Sequence, residues 1–156
     1  MRLGTLAAAT FLATQVAGCL DSIGPFDPKV GGPTGMRCVN DDSDRSVDVS
    51  YAMDILPLFQ GDKGSPGCGC HLSSSPNPVG IEASGLDLSN YRSLRAGGTN
   101  SGGSIVIDGE PCNSVLWQKV SPGPPFGSRM PFDGPFLDDD MSRLISDWIA
   151  EGAREN

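Results

Sequence analysis

Gly67-Cys68-Gly69-Cys70-His71 sets two thiols directly ahead of the only histidine in a chain of 156 residues. About sixty residues further on, Ser128-Arg129-Met130-Pro131 supplies a thioether beside a proline. An imidazole and a distant thioether are the pair that closes the two axial positions of an iron already held by four equatorial nitrogens. Thiols beside the imidazole can tether such a group covalently. A chain that must bring residues 71 and 130 to one centre has to wrap around it, so this stretch decides what fold to expect.

Outward from the motif, the chain offers helices separated by turn-rich segments. Tyr51, Ile55, Leu58 and Phe59 fall on one face of a first helix, which Pro57 is expected to end or kink. Gly61 to Gly67 then forms a loop leading to Cys68. From Ser73 to Gly109 the sequence is mostly Ser, Pro, Gly and Asn, broken by Gly85-Leu86-Asp87-Leu88-Ser89 and by the β-branched run Ile105-Val106-Ile107. So long an irregular stretch suits a compact domain only if something central gives it a surface to follow. Asn113 to Val120 reads as a helix, with Asn113 or Ser114 placed to cap it. The clearest element is Asp138 to Ala150. Leu137, Met141, Leu144, Ile145, Trp148 and Ile149 recur at helical spacing, three aspartates crowd the start, and Gly152 follows as a C-terminal cap.

The N-terminal third reads differently. Met1-Arg2 is a short positive end and Leu3 to Ala17 is apolar and small. Val16-Ala17-Gly18-Cys19 is similar to the cleavage box of bacterial lipoproteins. Residues 1–18 are therefore expected to be a signal peptide, with Cys19 as the lipid-bearing first residue of the mature chain. An apolar run of about 15 residues is shorter than the ~20 a spanning helix needs. The expected location is the cell envelope, lipid-anchored and facing the periplasm. Leu20, in place of a retention aspartate, points to the outer membrane. Residues 19–46 carry Gly24-Pro25, Pro28 and Gly31-Gly32-Pro33 without periodicity and read as a disordered tether, leaving 47–156 as the folded domain. Asp41, Asp42, Asp44 and Asp48 lack the turn glycine of a calcium loop and read as solvated charge.

Composition excludes several classes of function. With 11 basic against 19 acidic side chains the net charge is −8, and loss of Arg2 with the leader makes it one unit more negative. Phosphate backbones need clustered Lys and Arg, so nucleic acid is not an expected partner. With one histidine and no Gly-x-Ser-x-Gly there is no nucleophile–base–acid set, so neither enzymatic activity nor a small-molecule substrate is expected. Gly97-Gly98 and Gly102-Gly103 lack the Lys-Ser/Thr of a phosphate loop.

Taken in order, Tyr-x-x-Asp-Ile-x-Pro-x-Phe at 51–59, the Cys-His pair at 70–71, Gly-Leu-Asp-Leu-Ser at 85–89, Gly-Glu-Pro-Cys-Asn-Ser-Val-Leu-Trp-Gln-Lys-Val at 109–120, Ser-Arg-Met-Pro-Phe at 128–132 and Leu-Ile-x-x-Trp-Ile-x-x-Gly-Ala at 144–153 resemble the single-domain c-type cytochromes, especially those on bacterial lipoproteins. The resemblance spans residues 49–153. It implies an all-α, cytochrome c-like domain with long irregular loops. One haem c would be held by His71 and Met130 as iron ligands and by Cys70 as thioether donor. It further implies that the helices carrying Tyr51 and Leu144 cross near the haem with Trp148 against Tyr51, and that a carbonyl in Pro76-Asn77-Pro78 accepts from the second imidazole nitrogen. The implied activity is transfer of single electrons between redox proteins.

The sequence departs from the family at one point. Cys-x-x-Cys-His puts its two thiols about one helical turn apart, whereas Cys68 and Cys70 would point roughly 200° apart on a helix. One thioether through Cys70 is the simpler expectation, with Cys68 in a disulfide to Cys112 or Cys38. A Cys68–Cys112 bridge would close a loop of about 45 residues, on the order of 3 to 4 kcal/mol. Two other readings remain. In one, both cysteines form structural disulfides in a haem-free lipoprotein of the same fold, acting as a binding or assembly module. In the other, Cys68, Cys70, His71 and Cys112 form a zinc or copper site.

Overall fold

The computed structural model describes residues 38–156 apart from Lys63. The expected signal peptide, the expected lipidation at Cys19 and the expected tether up to residue 37 fall outside the described residues. Those described form helices joined by irregular loops, with no strand among them. The expected all-α class is what is seen. We label the helices α1 (Leu56–Gln60), α2 (Val79–Ser84), α3 (Tyr91–Ala96), α4 (Val115–Val120) and α5 (Asp139–Ala150).

Helix α5 is the spine of the core. The Asp138 carboxylate accepts from the Met141 amide at 2.8 Å, and Asp139 and Asp140 lie in the first turn, where the helix dipole favours them. Its apolar face buries Ile145, Trp148 and Ile149 completely. Gly152, at φ +103°, closes the helix. Its amide donates to the Ile149 carbonyl and the Ala153 amide to that of Trp148, the two bonds of a Schellman ending.

Across from α5, Tyr51–Ile55 forms one widened π turn that runs straight into α1. Ser50 opens it reciprocally: its hydroxyl accepts from the Met53 amide, and the Asp54 carboxylate accepts from the Ser50 amide. Pro57 does not end this helix as the sequence suggests. It sits in the first turn of α1, where its missing amide hydrogen is no loss, and the π turn before it absorbs the misfit of the ring. Asn156 supplies acceptors for the first-turn amides of Tyr51 and Ala52 at 2.9 and 3.0 Å. Tyr51 and Trp148 meet with ring centroids 5.6 Å apart, and Tyr91 stands edge-on to Tyr51 at 5.3 Å.

The stretch 73–109 is more structured than its composition suggests, since it contains α2 and α3. Asn90 caps α3 by accepting from the Ser93 amide. Gly97, at φ +72°, ends it where an added Cβ would lie 2.0 Å from the Gly102 carbonyl oxygen, so only glycine fits. Ile105 and Val106 are buried, but as the end of a 3-10 turn, not a strand. Ser114 stands at the N-cap of α4 without capping it. Its buried hydroxyl accepts from the Ile107 amide and donates to the Glu110 carbonyl, stitching the preceding loop instead.

Residues 38–46, read from sequence as the end of the tether, are fastened to the domain. Cys38 is disulfide-bonded to Cys112, the Asp44 amide donates to buried Asp147 at 2.7 Å, and the Cys112 amide donates to the Asn40 side chain. The expected Cys68–Cys112 bridge is therefore not formed. Cys112 lies on the turn before α4, where Asn40 brings Cys38 to it, while Cys68 is buried elsewhere with a free thiol.

Candidate functional site

The motif Cys68–His71 is shaped by its neighbours on both sides. The Cys68 amide donates to the Phe59 carbonyl at 2.7 Å, tying it to the end of α1, and the His71 amide donates back to the Cys68 carbonyl to close a 3-10 turn over Gly69–His71. After the turn, residues 71–73 run alongside 86–89. The Leu88 amide donates to the His71 carbonyl at 2.8 Å, and the Ser73 amide to the Ser89 hydroxyl at 2.7 Å.

This pairing brings the Leu86 carbonyl to His71 Nδ1 at 3.1 Å. A carbonyl can only accept, so Nδ1 carries a hydrogen, which in the neutral ring places the lone pair on Nε2. The acceptor is thus Leu86 and not a carbonyl of Pro76-Asn77-Pro78. That segment leads into α2, and the Pro78 carbonyl is taken by the amides of Ile81 and Glu82.

The Nε2 edge of the ring lies against Gly80. A Cβ there would come within 2.7 Å of Nε2, 2.8 Å of Cδ2 and 2.7 Å of the Cys70 carbonyl oxygen. Glycine at this helical position leaves just enough room for the ring edge to pack against α2. Gly80→Ala should therefore destabilise by about 1 to 3 kcal/mol through overpacking, against the stabilisation of up to about 1 kcal/mol that alanine normally brings to a helix. Urea denaturation reads the sign, and a more stable variant would mean that the ring moves aside freely.

Met130 is held from the other side of the sequence. Its amide donates to the Lys119 carbonyl at 2.7 Å, and Arg129 Nε donates to the Val120 carbonyl at 2.7 Å, so the loop after α4 satisfies carbonyls at that helix's end. Lys119 Nζ binds the carbonyls of Phe126 and Ser128, and the Phe126 ring lies 5.1 Å from it. Burial lowers the Lys119 pKa.

His71 and Met130 line one cavity, walled mainly by apolar residues that include Phe59, Leu88, Ile105, Leu116 and Val120. Its volume is about 130 Å³, close to that of an engineered apolar cavity that takes benzene. Counting the open mouth, the empty space is about 710 Å³, within the range of small-molecule sites. Cys68 lines the same cavity. Burial, and secondarily the Cys70 thiol, pushes its pKa up to about 12. Cys70 is exposed and is not part of the cavity wall.

The structure thus brings together three of the four residues expected at the site, Cys68, His71 and Met130, and turns Cys70 outward. The cysteine–histidine zinc or copper site does not assemble. Cys112 is consumed by Cys38, and no cluster of three or more His, Cys, Asp or Glu side chains suited to a metal occurs among the described residues. Nor are Cys68 and Cys70 disulfide-bonded, as the haem-free reading required. Sequence reasoning missed Gly80, Leu86 and Lys119. Only Gly80 left a signal, as a glycine nine residues after the histidine, and that signal has many other meanings.

Comparison with protein-family models, with curated proteins and with solved structures finds no match to this chain. Among the described residues, no helix is long and apolar enough to cross a membrane.

Proposed function

We propose that this domain is a monohaem c-type cytochrome, lipid-anchored through Cys19 and facing the periplasm at the outer membrane, which passes single electrons between redox proteins. It is not an enzyme in this reading. The observation that carries it is that His71 and Met130, about sixty residues apart in sequence, wall one apolar cavity.

When bound, haem supplies a one-electron iron couple, and no substrate bond is made or broken. The chain's own residues do the rest. Leu86 fixes the ring of His71 and raises its donor strength through the Nδ1 bond. Lys119 and Val120 hold the loop that presents the Met130 thioether, which favours the ferrous state. Phe59, Leu88, Ile105 and Leu116 exclude water, and a dry pocket disfavours the more highly charged ferric form.

The test is an absorbance spectrum of the protein matured in a bacterium with cytochrome c assembly machinery. A sharp reduced α-band is expected, and protein made natively without haem would refute the proposal. Met130→Ala should open the sixth position, so that reduced protein binds carbon monoxide and the midpoint potential falls. An unchanged ligation spectrum would remove Met130 from its role and direct attention to Met53, which is 67% exposed and lies outside the cavity wall.

A further inference from the structure

We propose that the covalent link to the macrocycle is a single thioether formed by Cys68, and that Cys70 takes no part in it. This rests on the haem reading and goes beyond it, because a cysteine directly before the histidine is the thiol that sequence favours. The geometry reverses that preference. Cys68 is 9% exposed and shares the cavity wall with His71 and Met130, whereas Cys70 is exposed and absent from that wall.

The two side chains diverge for a local reason. Cys68 stands outside the 3-10 turn, at φ −125° and ψ 40°, with its amide bound to the Phe59 carbonyl, which draws the residue inward against α1. Cys70 lies within the turn, and its carbonyl oxygen faces Gly80 of α2, so helix α2 backs the main chain there while the thiol points to solvent. Bringing Cys70 to the cavity would mean rotating a turn held by the Cys68–His71 bond and by the pairing of His71 with Leu88.

The step is balanced without an oxidant or reductant. The Cys68 S–H adds across one vinyl group. A sulfur–carbon bond forms at the vinyl carbon next to the ring, the C=C π bond is lost, and the thiol proton ends on the terminal carbon. The second vinyl stays unsaturated and conjugated with the macrocycle.

The experiment uses the full chain matured with cytochrome c assembly machinery, as wild type, Cys68→Ser and Cys70→Ser. Acid–acetone extraction separates free from covalently held haem, and fragmentation of the tryptic peptide spanning residues 64–92 locates the adduct. The expected result is one haem on Cys68 in the wild type, full covalent retention in Cys70→Ser, and loss of covalent retention to background in Cys68→Ser. The reduced α-band of the wild type should lie at longer wavelength than that of a two-thioether haem. An adduct on Cys70, adducts on both thiols, or haem that extracts completely from the wild type would overturn the assignment while leaving haem binding intact. A wild type with no haem at all, extractable or not, would overturn both. If Cys68→Ser fails to fold, the wild-type peptide decides alone.

Discussion

Replacing His71 by alanine is expected to abolish haem retention in the axially ligated form. No other histidine exists to take its place, and the remaining cavity wall offers Met130, Lys119 and the Cys68 thiol as donors without a second imidazole. The loss should be specific to the cofactor. The His71 ring is only partly buried, and the backbone bonds of residue 71 to Cys68 and Leu88 do not need the side chain. Far-ultraviolet circular dichroism of the apoprotein should therefore remain helical while the reduced low-spin spectrum disappears. A His71→Ala protein that keeps that spectrum would show that the iron ligand is elsewhere, and with it most of the proposed function would fall.

The second large effect concerns stability and does not depend on any cofactor. Trp148→Ala should destabilise the domain by about 4 kcal/mol, near the upper end for a buried aromatic. Trp148 has no exposed surface, stands against Tyr51 and Tyr91 at 5.6 and 6.4 Å, and donates its indole hydrogen to the Arg154 carbonyl at 3.0 Å. Alanine would leave a cavity where α5 meets the Tyr51 turn and would unpair that carbonyl. Against a typical total of 5 to 15 kcal/mol, such a loss should bring the urea midpoint down severely. Trp148→Phe should recover part of it, since one aromatic ring is restored while the rest of the indole volume and the hydrogen bond to Arg154 are lost. A change below about 1 kcal/mol in Trp148→Ala would show that this aromatic cluster does not hold the two helices together.

What could be read from the sequence follows element length. Helix α5 has twelve residues, long enough for its apolar face to repeat and for Asp138 and Gly152 to mark its ends. Helices α2 and α3 have six residues each, less than two turns, so no face repeats and only the Asn90 cap and the glycines at 85 and 97 betray them. The Tyr51 helix was legible in position but not in kind, because a π turn before a proline has no pattern of its own. At the site, side-chain chemistry picked out His71 and Met130, whereas the Leu86 carbonyl was out of reach because every residue has one. The same limit applies to the cysteines. Spacing shows that Cys68 and Cys70 diverge, but the bond to Phe59 decides which of them turns inward, and Asn40 decides which partner Cys112 receives.

The Cys38–Cys112 bond also sets how the domain would bear a mechanical load. A pull entering from the N-terminal side reaches Cys38 and crosses covalently to Cys112, so residues 39–111 lie in a closed loop off the line of tension. His71 rides in that shielded loop, while Met130 lies on the stretch that would extend. A tension applied between the two ends of the chain would therefore strain the methionine side first and leave the histidine turn slack.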